Sequence, residues 1–191
     1  MATTNANSYQ LTEAVLSVFA EKPIAEITLS DIAAESGIST LALRLKYGSV
    51  EKIIENVAID CFETVFSVLH ESVRAGKRTE ECWLDFRDVV VDNPEMVLFY
   101  EAFRTTYNRG FEQLEECEEC ARHLFPAASD LSFLWYHFIF DAKKSALKVL
   151  SKMREHGISK EEASISVAVP NLNLTSMRPS IVGFDKLCAA F

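Results

Sequence analysis

The densest group of thiol and imidazole side chains is Cys117-Glu118-Glu119-Cys120-Ala121-Arg122-His123. On a helix, at about 100° per residue, both thiols and His123 fall within roughly a 120° arc. Such an arc suits a soft metal ion or a redox pair. A metal still needs a fourth ligand from elsewhere, and this helical Cys-x-x-Cys lacks the usual knuckle glycine. Glu118 and Glu119 push the neighbouring thiols towards the protonated, unreactive form. The segment is therefore read as carrying no metal, and no cofactor is expected. His70, His137 and His156 are scattered. No Ser/His/Asp order and no phosphate-binding glycine loop is present, so the expectation is no enzyme and no catalytic residue. His137 stands among aromatic residues and suits a core or subunit interface.

A second group is apolar. The chain holds 13 Phe, and Phe62, Phe66, Phe86, Phe99, Tyr100, Phe103, Trp135 and Phe138 recur at helical spacing. They could line a pocket for a small apolar or aromatic-compatible ligand, and the same spacing also suits plain core.

The elements that must position these groups are helices. The 191 residues include only 6 Gly and 5 Pro, and Pro23 is the only proline before Pro94. Long runs without breakers favour an all-α fold. Met1–Ser8 is small and polar and is expected to fray. Leu11, Val15, Val18 and Phe19 then mark a helix that ends near Pro23. Thr28 with Asp31 makes an acidic capping box for a second helix, which Gly37 ends in the left-handed conformation. Ser39 or Thr40 caps a third, short helix reaching Tyr47, and Ser49 starts a fourth. Ile53, Ile54, Val57, Cys61, Val65, Val68 and Leu69 keep one apolar face on that fourth helix to about Arg74. Thr79 is expected to cap a fifth helix ending at Asp92, and Pro94 to open a sixth reaching Tyr107. Further helices are expected at Phe111–Leu124, Leu131–Glu155, Ser159–Ala168 and Pro179–Phe191. The first half of Leu131–Glu155 is apolar around most of its circumference, which points to burial on several sides and hence to a subunit interface.

The net charge is −9 and the pI about 5.0, which argues against nonspecific binding to anionic polymers. The five cysteines are odd in number and sparse, so no disulfide framework is read. Met1–Gln10 has neither a basic nor an apolar leader pattern. The longest aromatic-aliphatic run, Leu131–Phe140, is too short to cross a bilayer. A cytoplasmic protein without a membrane partner is expected.

Three short helices joined by tight turns, with Ser36-Gly37-Ile38-Ser39 as the second turn, suit a helix-turn-helix. The stretch Leu11–Val57 resembles the N-terminal domain of TetR-type transcriptional regulators. The matching residues are Ala14, Phe19, Ala20, Thr28, Asp31-Ile32-Ala33, Gly37-Ile38-Ser39, Leu43, Tyr47-Gly48-Ser49 and Glu51. They cover about a quarter of the chain.

The resemblance implies a helix-turn-helix DNA-binding domain at 1–48 and a larger helical ligand-binding and dimerisation domain at 49–191. It further implies a homodimer, a palindromic DNA operator and a ligand-responsive repressor. Carried over by position, the DNA-facing residues are Thr28, Ser39, Thr40, Ala42, Arg44, Leu45, Lys46 and Tyr47. Hydroxyls and N–H groups at helix N-termini suit phosphate oxygens. Arg44 suits phosphate or guanine, and Leu45 a thymine methyl.

The chain departs from the family at Leu41, where a small residue is usual. It departs also at Arg44, Leu45 and Lys46, where aromatics or His are common, and at Val50 and Ser30, where basic residues are frequent. Residues 1–47 hold Lys22, Arg44 and Lys46 against Glu13, Glu21, Glu26, Asp31 and Glu35. The alternative is therefore a TetR-like dimer that has lost DNA binding and serves as a ligand- or protein-binding module.

Overall fold

A computed structural model describes residues 3–108, 120, 122, 131–159 and 162–163. Among the described residues the chain is all-helical. Helix α1 (Thr3–Glu21) leads through a 3-10 turn (Ile24–Glu26) to α2 (Leu29–Ser36), α3 (Thr40–Tyr47) and α4 (Val50–Arg74). Then follow α5 (Thr79–Asp92), α6 (Pro94–Tyr107) and α7 (Leu131–His156). The expected helices at Phe111–Leu124 and Pro179–Phe191 lie outside the described residues, bar Cys120 and Arg122. Of Ser159–Ala168 only the start is described, where the Ser159 hydroxyl accepts the Glu162 N–H at 3.2 Å.

The boundaries follow from local capping chemistry. Thr28 is extended at φ −115°. Its hydroxyl accepts the Asp31 N–H at 3.3 Å, while the Asp31 carboxylate accepts the Thr28 N–H at 2.8 Å. Two otherwise orphaned donors at the start of α2 are thereby satisfied. Gly37 ends α2 at φ +69°, its N–H donated to the Ala33 carbonyl at 3.0 Å. A side chain at that φ is strained, which is why glycine stands there. Ser39 caps α3 through the Ala42 N–H and Ser49 caps α4 through the Lys52 N–H.

Two expectations are corrected. Thr79 does not cap α5. The cap position belongs to Arg78, whose N–H is accepted by Glu81 at 2.9 Å. A carboxylate in the first turn reaches back to that donor, so no hydroxyl is required ahead of the helix. Met1–Ser8 is not wholly outside helix either, because α1 is helical from Thr3. Once Leu11–Val18 is pinned by packing, each added residue extends an existing helix at little cost.

One apolar cluster runs through the described chain. Leu11, Val15 and Val18 of α1, Ile32 of α2 and Leu43 of α3 join Ile53, Val57 and Val65 of α4. The same cluster takes in Phe86 of α5, Phe99 and Phe103 of α6, and Ala142 and Ala146 of α7. Phe19 meets Phe99 edge-to-face at 5.2 Å, so α1 touches α6 directly. Thr12 donates to Asp60 at 3.2 Å, tying α1 to α4. Ile24 and Ile27, around the 3-10 turn, are buried in this cluster. A smaller cluster joins Val91 of α5, Val149 of α7 and Ala163. No described helix is long and apolar enough to cross a membrane.

Candidate nucleic-acid interface

The α2–α3 pair has an inner anchor and an outer face. Leu43 and Ile32 are buried, and Ile38 in the turn between them is half-buried against the same cluster. Ser36 is buried as well. Its hydroxyl accepts the Ile38 N–H at 3.2 Å, and its carbonyl accepts the Gln10 side-chain N–H at 3.1 Å. These bonds lock the turn to α1. Nothing in the composition of Ser36 marks this role; only its place just before the glycine does.

Of the eight carried-over residues, seven are exposed: Thr28, Ser39, Thr40, Ala42, Arg44, Leu45 and Lys46. Tyr47 is half-buried, with the Lys46 ammonium 4.9 Å from its ring centre. The hydroxyls of Thr28 and Ser39 already accept backbone N–H groups as caps. Thr28 also donates its hydroxyl proton to Asp31 at 2.7 Å. Leu41 and Leu45 stand far out, 66% and 80% exposed.

The electrostatics of this end are sparse. Lys22 is held by Asp31 at 2.8 Å. The Lys22 ammonium, followed by the Thr28 hydroxyl and N–H, lowers the Asp31 carboxyl from 3.8 to about 2. Arg44 and Lys46 are the exposed cations of α3. Lys52, in the first turn of α4, bonds Glu55 at 2.7 Å. A backbone N–H, and then the Ser49 hydroxyl, lower the Glu51 carboxyl beside it.

The aromatic residues of the larger region pack on one another. Phe62, Phe66, Phe86, Phe99, Tyr100 and Phe103 are all buried. Phe62 stacks on Phe66 at 4.5 Å and meets Tyr100 at 5.0 Å, and Phe66 lies 5.3 Å from Phe86. The side chains of Trp135 and Phe138 lie outside the described residues. A surface hollow of 220 Å³ occurs elsewhere, lined by Leu11, Thr12, Tyr47, Asn56, Val57, Ile59 and Asp60. None of the eight aromatic residues lines it.

Burial raises the thiol pKa of Cys61 and of Cys82. Cys120 is buried with Sγ 3.2 Å from His70 Nδ1, a contact across 50 residues that helical spacing does not announce. Cys117 and His123 lie outside the described residues. Among the described residues no group of three His, Cys, Asp or Glu is placed to hold a metal ion.

No family model matches the chain, and neither a curated protein nor a solved structure is similar to it.

Proposed function

We propose that this chain is a TetR-type transcriptional regulator, a cytoplasmic homodimer that represses by binding a palindromic operator and leaves it when a small apolar ligand binds. It is not an enzyme in this reading. The observation that carries the proposal is the α2–turn–α3 unit. Its glycine turn, capped helix starts and buried Leu43 hold α3 against the body while Thr40, Ala42, Arg44, Leu45 and Lys46 face outward. A helix held this way enters a major groove, and two copies about 34–36 Å apart read two half-sites. The copies pair through α7, whose first half is apolar in sequence around most of its circumference. A ligand that binds better to the DNA-incompetent spacing shifts the population away from the operator. Helix α4, together with the Phe19–Phe99 contact, passes that shift from the larger domain to α1–α3.

The second reading, a dimer of this type without DNA binding, is favoured by one observation. Lys22 is spent on Asp31, which leaves few cations to meet phosphate. Capture from a genomic fragment library at low salt separates the two. Fragments bearing an inverted repeat are expected to be enriched. If no fragment outcompetes random DNA, repression by this chain is wrong and the second reading stands.

A further inference from the structure

The outer face of α3 has an ordered cross-section. At about 100° per residue, the side chains around the helix run Arg44, Leu41, Leu45, Ala42, Lys46. All five are exposed. An apolar strip, Leu41–Leu45–Ala42, is thus flanked by one cation on each side. Leu43 and Tyr47 lie on the opposite arc, the first buried and the second half-buried. A helix lying in a major groove has phosphate strands on both flanks and base edges along its centre. The cations sit where the strands run. What faces the bases is hydrocarbon.

The base edges of the major groove present hydrogen-bonding groups with a single apolar exception, the 5-methyl group of thymine. Leu41, Leu45 and Ala42 neither donate nor accept, so any acceptor or donor they cover loses its water without replacement. A thymine methyl gains from the same burial. From this pattern we infer that α3 reads its half-site mainly through thymine methyl groups, with Arg44 and Lys46 holding the flanking phosphates. The inference rests on the DNA-binding reading above and deepens it by naming the sequence class, half-sites with clustered thymines opposite α3. It also gives Leu41 a use. The large side chain at a position where the family has a small one extends the apolar strip by one turn.

The experiment selects binders from a pool of randomised DNA duplexes with the intact protein at low salt. The winning duplex is then rebuilt with deoxyuridine in place of thymine, one half-site position at a time. Uracil keeps every hydrogen bond and loses only the methyl. Burying one such carbon is worth about fourfold in affinity, so about a fourfold loss is expected for each thymine opposite α3. In Leu41→Ala/Leu45→Ala, both sites being exposed, the deoxyuridine penalty should disappear at the thymines that face those two leucines. If the selected duplex binds and deoxyuridine changes nothing, methyl readout is overturned while DNA binding stands. A penalty that persists undiminished in the double variant also overturns it, since the effect then belongs to the duplex. If no duplex is selected, the DNA-binding reading itself fails, and this inference with it.

Discussion

Asp31 bonds the Thr28 N–H and hydroxyl at the start of α2 and pairs with Lys22 from the end of α1. Its carboxyl is lowered from 3.8 to about 2. A carboxyl that is more acidic when folded adds stability above its ordinary pKa, and that stability is lost as pH falls through the folded value. The stability gap between the protein and Asp31→Asn is therefore expected to be constant above about pH 5 and to shrink between pH 4 and pH 2. Urea unfolding across that range measures it, and a gap that stays level down to pH 2 contradicts the assignment. Half of this was legible in the sequence. Thr28 and Asp31 stand three residues apart, and a capping box is a local pattern. The Lys22 contact bridges nine residues and a 3-10 turn, so no helical period reveals it; Lys22 instead counts as a free positive charge when the sequence is read alone.

At the scale of the helix, α3 sorts neighbouring leucines by face. Leu43 is 1% exposed and Leu45 is 80% exposed. Leu43→Ala should cost about 2–5 kcal/mol, the range for a buried leucine. Leu45→Ala should change stability by under about 0.5 kcal/mol. Denaturant midpoints with unchanged slopes decide this, and equal losses at the two positions contradict the face assignment. Among the described residues the helical boundaries other than the start of α1 were legible to within a residue or two, because glycine, proline and capping residues mark them. The core contribution of Ile24 and Ile27 was not. They lie in a short connection without a period, and only the packing of the 3-10 turn against the cluster buries them. The eight aromatic residues show the converse limit. Their spacing gives a face, but packing decides whether that face closes on itself, and six of them are buried against the common core.

Over the whole molecule, the apolar cluster crosses from α1–α3 into α4–α6 without a break. The proposed DNA-binding end and helices α4–α6 therefore share one core, through Phe19–Phe99 as well as through α4. Fold class was legible because few breakers and many apolar periods leave only helices. The proposed pairing of copies is not set by an apolar helix alone, since such a helix reads alike whether a neighbour in the same chain or in a second one covers it. In the proposed function, charge sets the terms on which the molecule would meet DNA. The chain carries −9 overall, and α3 offers Arg44 and Lys46. Two cations from each copy of a dimer neutralise about four phosphates, for a slope of about −3.6 in log affinity against log salt. Binding that shallow in salt has to draw its specificity from the bases.

The most direct test of the proposed function is a salt titration of the protein on its enriched fragment, with random duplex as competitor. A slope no steeper than about −3.6 is expected, with the fragment retained against excess random DNA at each salt concentration. Displacement of the fragment by an equal amount of random duplex would contradict it.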